Sequence, residues 1–382
     1  MAAVKIGGTA CRACRGGSGR IVLDLGQQPA CDYFPRRDDP GPDPLYPLQM
    51  WLCAACGLAQ LVADTAIPEE PRGVEPVALI KQAADAVACV DAAGLLPIEG
   101  RVAEYGSPHG GTWLDLLSHR GLTPVDDDAQ ADVVVDCFGL MHSPDQSAAL
   151  AERVARVASG GLLLLQYHSL HTIIRHGQWN MLRHGHYAYY STTALLTMLA
   201  AQGFRPETAW HFELYGGTLL LAARRDAGEP TGPDEPVKAL LAAEARAGAL
   251  SPEVLSRLQR QARTSARALH TWLAAQRSAG KTVLGYGAAS RAVAFLVLAG
   301  ADRALLPGVA DASEAKEGLR MPGTDIPVIS PAQLVERRPD WVVLFVPDLL
   351  PEVRASLPQV EAGGGQWVAA EGLRSPPLAA YN

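Results

Sequence analysis

Four of the seven cysteines in this 382-residue chain fall in two C-x2-C pairs, Cys11 with Cys14 and Cys53 with Cys56. Each pair bends around one turn and offers two thiolates to one ion, so together they complete a tetrahedral four-sulfur shell around zinc. Such a shell leaves no position open to water, which makes the site structural; unligated thiols and redox chemistry are the competing readings. Cys31, Cys89 and Cys137 are scattered and read as core residues. A second set of reactive side chains follows apolar runs. Tyr167, His168 and His171 come after GLLLLQ, and His142 comes after ADVVVDCFGLM. Open α/β sheets place ligands at the C-terminal ends of their strands, where a histidine can accept a proton. Polar loop residues without a reaction are the bland alternative. Gly285, Tyr286 and Gly287, with Ala288, form a tight strand-to-helix turn whose N–H groups could hold a phosphate. Ser290 and Arg291 then fall in the first helical turn, and Lys316 could add a cation.

The elements that must position these residues are legible from pattern. Residues 1–66 contain short strand-like runs (RIVLDLG, YPLQMWLC, GLAQLV) between Gly/Pro turns, a small β-rich zinc module. Three prolines in IPEEPRGVEP break the chain, and apolar spacing then predicts a helix from Val77 to about Leu95. Alternating strands and helices through residue 225 predict a parallel sheet with helices on both faces. RDAGEPTGPDEP is a linker. A long helical region from Val237 to Gly280 leads into a second α/β unit with strands KTVLGYG, GVAD and DWVVLFVP. The expected fold is therefore α/β in three parts: 1–66, 67–225 and 237–382. Hydrophobic residues make up 48% of the chain, enough for sizeable cores. The formal net charge of −7 argues against a nucleic-acid or anionic-membrane partner. With no signal-like or spanning segment, the expectation is a cytoplasmic protein.

In this order the parts resemble the deoxysugar C-methyltransferases of bacterial antibiotic pathways. The residues that carry the resemblance are LDLGQQPACDYF and YPLQMWLCAACGLAQL, then ADVVVDCFGLMHSPD with His142 and Asp145. Further on they are WNMLRHGHYAYYS, GYGAASRAVAFL, VADASEAKEGLRMPGTDIPVISPAQL and RPDWVVLFVPDLLPEV. The resemblance implies a zinc module, a methyltransferase-type Rossmann domain and a Rossmann-like C-terminal domain that helps bind a nucleotide-linked sugar. It also implies S-adenosylmethionine (SAM) over a Gly-rich turn, an acid on the ribose at the end of the second strand, and a tyrosine- and serine-bearing lid.

Three of those cofactor features are altered. The turn reads GSPHGG, so Gly106, Ser107 and Gly110 form a degenerate SAM turn with Pro108 and His109 inserted. Only DDDAQ separates SHRGLTPV from the next strand, where the family spends a strand, a helix and a strand. Asp126, Asp127 and Asp128 read as a turn rather than a ribose clamp, and IPEEPRGVEP replaces the lid. The segment corresponding to the family's Y-H-E-H reads Arg183, His184, Gly185, His186. Losing a carboxylate and gaining a guanidinium suits the segment to an anion.

The expected enzyme is thus SAM-independent and has zinc as its structural metal. His186, matching the second family histidine, is the expected base, with His184 beside it and Arg183 as anion clamp. Only one histidine of the pair is expected to be catalytic, the other facing the core or solvent. Tyr167, His168, His142 and the Gly285–Gly287 turn would bind substrate. The reaction is an intramolecular displacement such as aziridine formation with loss of an anion. The alternatives are a SAM-dependent C-methyltransferase acting on a keto-deoxysugar nucleotide, and a non-catalytic scaffold subunit. The expected partners are a small-molecule or carrier-bound intermediate and a partner subunit over the shortened Rossmann sheet.

Overall fold

A computed structural model describes residues 9–39, 41–62, 75–106, 111–126, 129–225 and 232–373. Its α/β fold contains three sheets. The first is antiparallel: β1 (Gly19–Pro29), β2 (Leu45–Cys53) and β3 (Ala59–Leu61), then β8 (Ala188–Tyr189) from far along the chain. The N-terminal module therefore does not close on itself, because its fourth strand comes from the segment that follows Arg183.

The central sheet has six strands in the order β5-β4-β6-β7-β10-β9. Strands β4 (Gly100–Tyr105), β5 (Leu122–Pro124), β6 (Ala131–Cys137) and β7 (Val157–His168) are parallel. β10 (Thr218–Arg225) runs antiparallel between β7 and β9 (Phe204–Phe212). The interior strands are apolar on both faces, with Val133, Val134 and Val135 and Leu162, Leu163 and Leu164 all buried, as a sheet covered on both sides requires. Helices α1 (Val77–Ala92), α2 (Leu114–Ser118), α3 (Gln146–Arg156), α4 (Leu170–His176) and α5 (Thr192–Ala200) alternate with the strands.

The shortened passage after β5 is closed by side-chain chemistry. The N–H of Ala129 donates to the Asp126 carbonyl, and Arg156 donates to both the Asp126 and Ala129 carbonyls. Asp126 itself is exposed, in keeping with a turn; Asp127 and Asp128 lie outside the described residues. The resulting sheet edge is only three residues long and ends in Pro124, which has no N–H to offer another strand.

The long helical region consists of three helices: α6 (Glu235–Ala247), α7 (Pro252–Leu255) and α8 (Arg257–Ser278). Gly248 at φ 66° ends the first, and Ser251 caps the second through the Val254 N–H. The C-terminal sheet is parallel, in the order β13-β12-β11-β14-β15: β11 (Val283–Tyr286), β12 (Val309–Ala310), β13 (Val328–Ile329), β14 (Trp341–Leu344) and β15 (Gln366–Ala369). Around it lie α9 (Ser290–Ala299), α10 (Pro331–Glu336), α11 (Leu350–Ser356) and α12 (Pro358–Ala362). β13 and β15 were not among the strands read from the sequence.

One core joins parts expected to be separate. Leu23, Leu48 and Met50 of the N-terminal hairpin pack with Leu258, Leu269 and Phe295 of the C-terminal domain, and with Trp179 and Tyr189 of the central one. The segment from 170 to 190 is therefore held by all three units. Among the described residues no helix is long and apolar enough to cross a membrane.

Candidate functional site

The two cysteine pairs converge as their spacing predicts. The four Sγ atoms lie within 4.8 Å of one another, with Cys11 and Cys56 at 3.5 Å and Cys14 and Cys53 at 3.6 Å. Each pair turns on a residue in the left-handed region just after its second cysteine, Arg15 at φ 62° and Gly57 at φ 75°. That curl brings both sulfurs of a pair to one side, and four sulfurs at this separation fit one zinc ion. Cys31 and Cys137 are buried and Cys89 is half-buried, away from this cluster.

A second site lies between the central and C-terminal domains, a cavity of about 280 Å³. Its central-domain wall is made where β6 and β7 end. Asp136, buried and paired with Arg153, accepts the Leu140 N–H and so fixes the loop that carries His142. His142 holds its Nδ1 3.1 Å from the Gly185 carbonyl, which makes Nδ1–H the donor. Burial, aided by the Arg183 charge, pushes its pKa down to about 3. His168, the last residue of β7, faces the same cavity, and burial together with Arg183 and Arg291 holds it down to about 3 as well. Both imidazoles are neutral across the physiological range.

Arg183 spans the two domains. Its Nε donates to His186 Nε2 at 2.9 Å, and its Nη1 donates to Ser290 Oγ in the first turn of α9. The backbone beneath it is fixed by the Tyr189 hydroxyl, 3.1 Å from the Arg183 N–H. His186 is buried (2% exposed) and meets His142 edge to face, with ring centroids 4.6 Å apart. The nitrogen of His186 that accepts from Arg183 cannot at the same time take a substrate proton. His186 therefore orients the guanidinium.

The structure brings His142, His168, Arg183, His186, Tyr286 and Gly287 to one cavity. It does not bring the rest. His184 (1% exposed) points the other way, toward the N-terminal hairpin, with Nε2 3.3 Å from the Pro47 carbonyl and its ring edge-on to Tyr46. His184 is thus left out of the site by the turn at Gly185, whose φ of 80° breaks the extended path between the two histidines. Tyr167 is also outside, because the β7 pleat turns it under α5, where its hydroxyl bonds Thr192 Oγ1 at 2.9 Å. Gly285 is a packing glycine in mid-strand: a Cβ there would come within 2.9 Å of Val309 and 3.0 Å of Phe345. Gly287 sits at φ 91° in the turn, but its N–H donates to the Ala310 carbonyl at 2.7 Å and is not offered to a phosphate. His171 lies outside the cavity, and Asp145 is the N-cap of α3, accepting the Ala148 N–H at 3.0 Å. Of the SAM turn, Gly106 is placed at the end of β4, outside the cavity lining; Ser107 and Gly110, with Pro108 and His109, lie outside the described residues.

Ser290, Arg291 and Lys316 also line the cavity. Arg291 is paired with Asp348 at 3.2 Å, and Lys316 donates to the Ala288 carbonyl at 2.8 Å with Asp311 at 3.8 Å. Residues that sequence reasoning did not single out include Phe138, Tyr215, Glu75 and Glu352. Only Tyr215 carried a signal, since the glycines after it in LYGG mark a turn.

Two family models match, one near each end of the chain. The family model described as "C-methyltransferase C-terminal domain" matches residues 213–370, and the methyltransferase zinc binding domain model matches residues 11–70. C-methyltransferase NovU of Streptomyces niveus is 24% identical over 416 residues, covering 94% of this chain and 94% of its own. Among solved structures, magnesium protoporphyrin IX methyltransferase (ChlM) from Synechocystis PCC 6803 with bound SAH is 13% identical, covering 39% of this chain and 84% of its own, with a TM-score of 0.30. The amino pentose methyltransferase CalS10 of Micromonospora echinaspora is 16% identical, covering 38% of this chain and 91% of its own, with a TM-score of 0.24. With a zinc module and a C-terminal domain that both match, flanking a Rossmann sheet, this chain is similar to the C-methyltransferases along most of its length.

Proposed function

We propose that this chain is a natural-product biosynthetic enzyme that works without SAM and closes a small ring, such as an aziridine, by intramolecular displacement of an anion. One observation carries the reading. Arg183 meets no carboxylate among the described residues; its partners are His186 and Ser290, and it stands beside two histidines held neutral. A cation and imidazole lone pairs on one wall match a departing sulfate or phosphate and the proton lost as an amine closes the ring. Holding nucleophile and leaving group in line contributes up to about 7–11 kcal/mol of such a barrier.

One acid near the expected SAM site is otherwise engaged. Glu104, at the end of β4, accepts from Thr112 Oγ1 at 2.6 Å and from the Trp113 N–H at 2.5 Å, capping the start of α2. Asp126, after β5, is exposed in its turn. The second reading, SAM-dependent C-methylation of a keto-deoxysugar nucleotide, is favoured by the end-to-end match to a C-methyltransferase. Calorimetric titration with SAM separates the two. Micromolar binding would sink the cofactor-free reading, which expects no heat beyond dilution.

A further inference from the structure

We propose that His168 is the proton acceptor of this site and that an anion bound at Arg183 turns its basicity on; this rests on the displacement reading above. The ring is clamped rather than merely present. It lies between Phe138, with centroids 5.2 Å apart, and Tyr215, at 5.3 Å. Phe138 comes from the end of β6, and Tyr215 from the turn between β9 and β10, so three segments converge on one imidazole. Both clamping residues are in the left-handed region, at φ 60° and 57°. Among the described residues only two other non-glycine positions share that conformation, Arg15 in a zinc knuckle and Arg338. Bulky aromatic residues in that region are strained, and such strain persists where the surroundings over-determine it. Here it holds the two rings against His168.

The charges around His168 explain the gating. Arg183 approaches from the segment before β8 and Arg291 from α9, while His142 and the Tyr215 ring complete its near surroundings. Lys316, Asp311, Glu75 and Glu352 line the rest of the cavity. With the cavity empty, burial and the two guanidiniums keep the imidazole neutral and a poor base, with its pKa near 3. An anion on Arg183 cancels the larger of the two guanidinium fields, so the pKa rises from its depressed value while burial still holds it below the ordinary value of about 6.5. In the reaction the substrate amine lone pair forms the N–C bond. The C–O bond to the leaving group breaks, with its electron pair departing on the anion held by Arg183. The ammonium proton passes to His168, which releases it to solvent once the anion leaves. Basicity then exists only while the leaving group is in place.

Sulfate is a sufficient probe, because the gating needs the anion and not turnover. Its binding to the full chain is measured by calorimetry at pH 5–6 in two buffers of different ionisation enthalpy, which reads protons taken up. Wild type is expected to take up protons with sulfate and to bind it more tightly as pH falls, as linkage requires. His168→Asn is expected to bind sulfate but lose most of that uptake. Uptake undiminished in His168→Asn overturns the proposal, as does the absence of sulfate binding to wild type. Neither result depends on SAM, so the displacement reading stands or falls separately.

Discussion

The carboxylate of Glu352 accepts the Val77 N–H at 3.2 Å, so the C-terminal domain caps the first helix of the central domain. The second oxygen takes the Ala78 N–H at the same distance. The residue at that helix's own N-cap position, Pro76, has no side-chain acceptor, and the two N–H groups would otherwise be orphaned. Negative charge at a helix N-terminus adds to the bond. Because Glu352 also lines the cavity, the same contact sets the separation of its two walls.

Removing that cap should loosen α1 locally. Glu352→Ala is expected to cost about 1 kcal/mol, read as faster hydrogen exchange of the amides at 77–80. Exchange in β6 and β7 should not change. Uniformly faster exchange across the sheet would mean that the contact supports the whole domain.

Zinc should matter well beyond its own module. The strand that completes the zinc-module sheet, β8, begins two residues after His186, with Ala59 opposite Tyr189 and Gln60 opposite Ala188. The Leu61 N–H also reaches the Tyr187 carbonyl at 3.1 Å, and the Tyr187 N–H reaches Met141, next to His142. Chelation, or Cys53→Ser, is expected to release zinc and to weaken sulfate binding at Arg183. Zinc content and anion affinity are to be measured on the same sample. Unchanged affinity in zinc-free protein would show that the core holds the segment unaided.

Asp43 and Arg320 join the N-terminal module to the C-terminal domain through two bonds of 2.7 Å, with side chains 8% and 6% exposed. The Arg320 hydrogen bond and charge, together with the Gly323 N–H, outweigh burial and hold Asp43 below its usual carboxylate range. Because its folded-state pKa is depressed, the contribution is complete above the unfolded value of about 3.9 and is lost as pH falls through the folded one. Asp43→Asn leaves a buried guanidinium without its charge partner and should cost about 3 kcal/mol at neutral pH. The cost should shrink in acid, which a series of denaturant titrations from pH 7 to pH 3 would show. A pH-independent cost would assign the effect to packing.

What sequence reveals about this molecule follows the range of the interactions involved. The cysteine pairs were readable because each knuckle is made within four residues. Strands β6 and β7 were readable because burial on both faces leaves continuous apolar runs. The direction of His184 was not, since it depends on which side of residues 183–186 meets the β1–β2 hairpin. Nor was the Phe138–His168–Tyr215 stack, whose members come from three distant segments and announce themselves only through backbone angles. Gly287 shows the opposite error: a motif that is present, with its N–H already committed to Ala310.

The fork of Arg183 gives the sharpest test of the anion clamp. Nε is engaged by His186 and one Nη1 donor by Ser290, so the guanidinium plane is fixed and its remaining donors are carried toward the cavity. A lysine keeps the charge but cannot hold both anchors and an anion together. Sulfate affinity should therefore fall in the order wild type, Ser290→Ala, Arg183→Lys, Arg183→Ala. Arg183→Lys should lose about tenfold, or about 1.4 kcal/mol. Ser290→Ala should lose less, since the His186 anchor remains. The far-ultraviolet spectrum and unfolding midpoint of each variant should match wild type, which separates a lost clamp from a lost fold. If Arg183→Lys binds sulfate as wild type does, charge alone suffices and the planar fork has no role; if Arg183→Ala also binds normally, the anion is held by Arg291 and Lys316 instead.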